Sequence, residues 1–148
     1  MSQRIVVIGA VALGPKAASR AKRLMPDAEI TLIDQAPRIS YGGCGIPYYI
    51  SGEVNRVEEL QTTPYGTVRD AEFFRTHKGV TALIRTRATA LDRTAKTVTV
   101  ENLGSGKIST LPYDKLVLAM GSSPNKPPFT GIELAGIGSA TNLAEAEA

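Results

Sequence analysis

The chain has 148 residues, a net charge of +3, one cysteine, one histidine and no tryptophan. That length suits one domain with its own core, without help from disulfides or a structural metal. One Cys and one His exclude an internal disulfide and leave no recognisable zinc set, and Lys and Arg alternate with acids outside residues 16–23, so no footprint for nucleic acid stands out.

From the N-terminus, Arg4 to Ile8 is a continuous β-branched run, predicted as a fully buried strand. Arg4 with the apolar stretch that follows could also open a secretion signal, but no small-residue cleavage site precedes Lys16–Arg23, and a strand, turn and helix explain the same residues better. Ala12 to Met25 is predicted helical, with Ala17, Ala18, Ala21 and Leu24 on one face and Pro15 tolerated in the first turn. Glu29 to Ile33 is a second buried strand, completing a βαβ unit. Ile46 to Ile50 reads as a short helix stopped by Ser51 and Gly52, residues 53–68 as a loop, and Asp70 to Lys78 as a helix capped by Asp70 and anchored by Phe73 and Phe74. Four short runs, Thr81–Ile84, Ala88–Leu91, Thr97–Val100 and Ile108–Leu111, are predicted to form an antiparallel meander over about 81–112. Leu116–Ala119 is another buried strand, residues 122–138 are rich in Pro and Gly, and Leu143–Ala148 begins a helix. The fold class expected is α/β: a Rossmann-like parallel sheet with an inserted β-meander. No apolar run reaches the roughly 20 residues that span a bilayer, so neither a membrane nor a nucleic acid is expected as a partner.

Between the first strand and first helix lies Gly9-Ala10-Val11-Ala12-Leu13-Gly14, where the pyrophosphate of a dinucleotide meets a helix N-terminus. Valine stands at the third position, usually glycine, so the motif is degenerate; Asp34, at the end of the second strand, supplies the acid that would bind an adenosine ribose. Cys44 sits in Ser40-Tyr-Gly-Gly-Cys-Gly-Ile-Pro-Tyr-Tyr49. Gly42, Gly43 and Gly45 let a flat ligand approach the backbone, and a helix opening here would favour the nucleophilic thiolate. The competing fate of a lone Cys is a small buried core residue. Lys16, Arg20 and Arg23 share one helix face, either merely solvated or a site for a second, phosphate-bearing ligand. His77 fits a surface or C-cap role better than a catalytic one.

Gly9–Gly14 with Asp34, then Ser40–Tyr49, then Leu116–Ser122 together resemble the FAD domain of the pyridine nucleotide-disulfide oxidoreductases. More narrowly, they are similar to the single-cysteine branch containing coenzyme A disulfide reductases, NADH oxidases and peroxidases, and persulfide or polysulfide reductases. The resemblance implies that Gly9, Val11, Ala12 and Gly14 hold the FAD pyrophosphate and Asp34 with Gln35 the adenosine ribose. It implies that Ala88 meets the adenine, that Ala119, Met120 and Gly121 line the far side of the flavin, and that Gly43 lies beside the cofactor. Cys44 is then the redox-active catalytic residue, and Lys16, Arg20, Arg23 and Ser40 bind a coenzyme A-type substrate. The function implied is a cytoplasmic, FAD-dependent NAD(P)H:disulfide reductase acting on coenzyme A disulfide, persulfide or polysulfide. The alternatives are an NADH oxidase or peroxidase working through a Cys44 sulfenic acid, and a nucleotide-binding fragment without turnover.

This sequence departs from the family pattern at several positions: Ala10 for a common glycine, Asp34 for the more frequent Glu, Gly43 for Asn, and Met120 where Ala-Thr-Gly has threonine. Members of the family also continue, after a segment like 122–148, into an NAD(P)H domain and a dimerisation domain. The chain is therefore expected to be the FAD-binding portion, residues 1–148, of a longer homodimeric reductase.

Overall fold

The computed structural model describes residues 2–147. Strand β1 (Arg4–Ile8) leads through a loop into α1 (Leu13–Leu24), and β2 (Glu29–Ile33) returns parallel to β1, pairing Arg4 with Glu29 and Ile8 with Ile33. The helix is one residue shorter at each end than expected, because Ala12 and Met25 serve as its caps. A turn of 3-10 helix at Gly43–Gly45 runs into α2 (Ile46–Ile50). The stretch read as a plain loop contains another 3-10 segment, Val57–Gln61, too short for any periodicity to reveal.

Helix α3 (Ala71–Lys78) starts where Asp70 accepts a hydrogen bond from Phe73 N, as its sequence implies, and stops at Gly79, whose φ of 62° fits a left-handed C-cap. Phe74 is buried, whereas Phe73 stacks on exposed His77 with ring centroids 4.9 Å apart.

The expected first strand of the meander lies elsewhere. Thr81–Ile84 is not the first strand of the meander: β3 (Thr81–Leu83) pairs parallel with β2, Thr31 to Thr81, at the edge of the main sheet. Helix α3 is the crossover that brings the chain back in that direction, and a three-residue run carries no pattern to distinguish parallel from antiparallel pairing. The meander comprises β4 (Thr86–Asp92), β5 (Thr97–Asn102) and β6 (Ile108–Pro112), with a bulge between Ala88 and Ala90. Finally β7 (Lys115–Leu118) pairs parallel with β1, giving the sheet order β3-β2-β1-β7; at this edge of the sheet the strand is not buried as expected, with Leu116 and Val117 half-buried and Leu118 54% exposed. Near the C-terminus α4 (Leu143–Ala146) is capped by Asn142; Ala148, expected in this helix, lies outside the described residues.

Alternation along β1 sends its side chains to two cores. Ile5 and Val7 pack with Ala18, Leu32, Phe74 and Val80 on the helical side, and Val6 packs with Ile33, Val98, Val100 and Tyr113 on the meander side. The parallel sheet is thus covered on both faces, as its apolar strands require. A third cluster, Tyr41, Ile46, Val57, Leu60 and Leu143, joins the cysteine segment to α4. Arg4 and Asp114 lock the starts of β1 and β7 through a two-pronged ion pair, 2.9 Å from Nη2 to Oδ1, and Arg4 N donates to Asp114 Oδ2 at 2.7 Å.

Candidate functional site

Three loops leave the C-terminal ends of β1, β2 and β7, and they converge. After β1, Gly9 turns with φ 102° so closely beneath the β7 exit that a Cβ there would lie 2.5 Å from the Ala119 carbonyl carbon. Gly14 is buried against the Gly9 carbonyl, and a Cβ on it would overlap that group. The glycines therefore allow α1 to begin directly over the strand end. The cap residue of α1, Ala12, makes no side-chain bond and the first turn holds no acid. The N–H groups of Ala12, Leu13 and Gly14 have no acceptor within the helix, and Pro15 has no N–H to offer. Such an end favours an anion.

Asp34 follows β2. Its Oδ2 accepts from Ala10 N at 2.7 Å and its Oδ1 from Ala36 N at 2.9 Å. The carboxylate braces the loop after β1, and each oxygen still has a free lone-pair site. Ala10, 1% exposed, also accepts from Ser40 N at 2.7 Å, so the loop after β1 touches the acid on one side and the cysteine segment on the other.

A cavity of about 1300 Å³ runs along these strand ends. Its walls include Gly9, Val11, Ala12, Asp34, Gln35, Ala119, Met120 and Gly121. A smaller recess of about 170 Å³ continues past Gly9 and Asp34 and is bounded by Thr86, Arg87 and Ala88 of β4. Gly14 lies behind the wall as a packing residue. Gly43 and Cys44 do not line either space; Tyr41 is the wall residue from their segment. Burial pushes the Tyr41 phenol above its ordinary pKa, opposed by a backbone hydrogen bond with Leu143.

Cys44 is exposed and does not pack in a core. Open space surrounds Gly43, and a Cβ there would meet nothing within 4 Å. Lys16, Arg20 and Arg23 are all exposed on α1, and Ser40 is buried in the left-handed region at φ 55°. Neither the three cations nor Ser40 lines the cavity.

Several wall residues have no sequence signal. Arg38 binds Glu147 at 2.8 Å and Glu58 at 3.3 Å, fastening the C-terminal segment across the cavity, and Thr141–Glu145 forms part of the same wall. Partners 109 residues apart leave no local pattern. Among the described residues no group of His, Cys, Asp and Glu could hold a metal ion, and no helix is long and apolar enough to cross a membrane.

A doubly covered parallel sheet, glycines before an uncapped helix, an acid after the second strand and a cleft along the strand ends together define a dinucleotide-binding α/β domain. Comparison with known proteins narrows the class. The chain belongs to the pyridine nucleotide-disulphide oxidoreductase family, whose sequence model matches residues 3–148. The coenzyme A disulfide reductase of Staphylococcus haemolyticus (strain JCSC1435) is 34% identical over 86% of this chain and 28% of that protein. The NAD(P)H coenzyme A polysulfide/persulfide reductase of Pyrococcus horikoshii is 31% identical over 93% of this chain and 28% of its own length. Among solved structures, an NAD-dependent persulfide reductase from A. fulgidus superposes with a TM-score of 0.91 at 44% identity, over 98% of this chain and 26% of that one. The chain thus spans little more than a quarter of these relatives.

Proposed function

We propose that the chain is the FAD-binding part of a cytoplasmic, homodimeric NAD(P)H-dependent reductase of disulfide or sulfane sulfur, with Cys44 as its nucleophile. The observation that carries the reading is the cleft along the strand ends, in a chain 44% identical over 98% of its length to a persulfide reductase. The residues present fit FAD. Backbone donors of Ala12 and Leu13 take the pyrophosphate, helped by the turn at Gly9 and by Gly14, which lets α1 begin directly over the strand end, with Val11 in the wall beside it. The spare lone pairs of Asp34, beside Gln35, take the ribose hydroxyls. Ala88, with no bulk beyond a methyl group, borders the recess for the adenine, and Ala119, Met120 and Gly121 flank the flavin end. Residues 122–148 lead towards the nicotinamide-binding part.

Open glycine at 43 lets a substrate reach the Cys44 sulfur. The thiolate attacks a disulfide sulfur, a new S–S bond forms, and the other half leaves as a thiolate. FAD, held by the strand-end cleft, would supply the two-electron reducing chemistry by which the Cys44 mixed disulfide is returned to two thiolates. Lys16, Arg20 and Arg23 at i, i+4 and i+7 offer a phosphate-bearing substrate such as coenzyme A an exposed cationic face, and Ser40 stands between it and the thiol in sequence.

A second reading has support of its own: the NADH oxidase of Enterococcus faecalis is 31% identical over 97% of this chain. In that case Cys44 would cycle through a sulfenic acid with oxygen or peroxide as the acceptor. The test is an absorption spectrum of the chain with FAD, before and after alkylation of Cys44, followed by coenzyme A disulfide, polysulfide and peroxide added to the reduced holoprotein. Flavin uptake with a long-wavelength shoulder lost on alkylation, and reoxidation by the sulfur compounds, is expected. Absence of flavin uptake refutes the reading, and reoxidation by peroxide alone turns it to the oxidase branch.

A further inference from the structure

One peptide group stands between the two halves of the site. The Ile39–Ser40 amide donates through Ser40 N to Ala10 O at 2.7 Å, in the loop that faces the cavity. Its carbonyl, Ile39 O, accepts from the side chain of Gln61 at 2.7 Å. Gln61 is 4% exposed, a buried polar side chain at the end of the 3-10 segment, and is itself fixed where its carbonyl takes bonds from Arg69 N and Arg69 Nε, both at 3.0 Å. Ser40 follows with φ 55°, costly for a residue with a Cβ. Rotating the Ile39–Ser40 peptide by half a turn would bring φ back to an ordinary negative value, and it would break both hydrogen bonds. Downstream, Gly42 N donates to Leu60 O at 2.8 Å, and Gly45 has no side chain where Leu60 packs.

Resting on the reading of Cys44 and FAD above, we propose that Gln61 is a positioning residue. By holding the Ile39–Ser40 peptide in its strained orientation it couples the dinucleotide loop to the Cys44 segment, so that cofactor binding at one sets the accessibility of the thiol at the other. The Asp34–Ala10–Ser40 bonds carry the coupling, and Gln61 prevents the peptide flip that would uncouple them.

The experiment compares the wild-type chain with Gln61→Met, which keeps side-chain length but cannot donate. In the wild type, saturating FAD changes the alkylation rate of Cys44 by at least about fivefold, the low end of ordinary couplings between sites. In Gln61→Met that ratio falls to about one while FAD still binds. A purely structural Gln61 would lower the melting temperature and leave the ratio of the folded protein at its wild-type value, and that result overturns the proposal. Hydrogen exchange of the wild-type chain tests the lock on which the coupling depends, even if the variant does not fold or FAD does not bind. The Gln61 side-chain amide and Ser40 N–H should both exchange far more slowly than exposed amides, and fast exchange at either overturns the lock. Absence of FAD uptake by the wild type refutes instead the reading of the site.

Discussion

Gly9 and Gly43 lie in the two loops that matter most, and alanine should be costly at the first and nearly neutral at the second. At Gly9 the backbone holds φ 102°, and a Cβ would sit 2.5 Å from the Ala119 carbonyl carbon and 2.9 Å from Met120 N. Both neighbours are backbone, anchored by the β1–β7 ladder and by the bond from Ala119 N to Ile8 O at 2.7 Å. The backbone strain costs about 1–3 kcal/mol. Forcing the two strand exits apart adds about 1–3 kcal/mol of overpacking. The sum, about 2–6 kcal/mol, corresponds at roughly 3 °C per kcal/mol to a melting temperature lower by about 6–18 °C in Gly9→Ala. At Gly43 the Cβ meets nothing and φ is not in the left-handed region, so Gly43→Ala is expected within about 0.5 kcal/mol of wild type. Calorimetry or thermal circular dichroism on the two variants measures both. A Gly9→Ala protein melting within 2 °C of wild type, roughly the shift expected from less than 1 kcal/mol, would refute the claim that the β1 and β7 exits are held rigidly together.

The Arg4 guanidinium, with Arg4 N, holds the Asp114 carboxyl down from 3.8 to about 2. A carboxyl depressed on folding contributes stability in full above about pH 4 and loses it as pH falls through about 2. The urea midpoint of the wild type should therefore drop more steeply across pH 4 to 2 than that of Asp114→Asn; parallel curves would refute the pairing. Asp70→Ala removes the acceptor for Phe73 N and should cost about 0.5–2 kcal/mol, read as a lower urea midpoint, whereas Asp70→Ser should retain most of it. Replacing Asp34 with Asn leaves one oxygen for two backbone donors and turns an amide N–H₂ towards one of them. FAD affinity, measured by fluorescence titration, should fall at least about tenfold, given about 1.5–3 kcal/mol for a hydrogen bond to a charged group.

What the sequence made legible follows from where its signals are local. Arg4–Ile8 and Glu29–Ile33 are short β-branched stretches whose Ile5, Val6, Val7, Ile30, Leu32 and Ile33 are buried, and the structure gives those bounds without change. Asp70 marks the start of α3 because caps act within one turn. Thr81–Leu83 was beyond reach, since its direction depends on a crossover helix and a partner strand 50 residues away. The site divides in the same way. Asp34 and the glycines announce a dinucleotide loop, but that the carboxylate bonds Ala10 N and Ala36 N depends on tertiary geometry. Gln61 sits in a segment without period among ordinary polar residues, and only its burial beneath Ile39 O distinguishes it.

The departures from the glycine-rich pattern acquire a common physical account. Ala10 can replace glycine because its side chain is buried in the helical core and its backbone supplies the two bonds that join Asp34 to Ser40. Val11 borders the cavity yet packs against the Tyr41, Ile46 and Leu60 cluster, so its bulk supports the cysteine segment. Aspartate at 34 reaches Ala10 N directly; a glutamate, one methylene longer, would have to fold back to do so. A loop that binds phosphate through N–H groups needs its backbone fixed more than it needs a particular set of side chains. Here the fixing is done by Asp34 on one side and the Ile39–Ser40 peptide on the other, and the substituted motif is coherent because Gly9 and Gly14 keep the close packing of α1 on the strand end while these contacts hold the backbone around Val11.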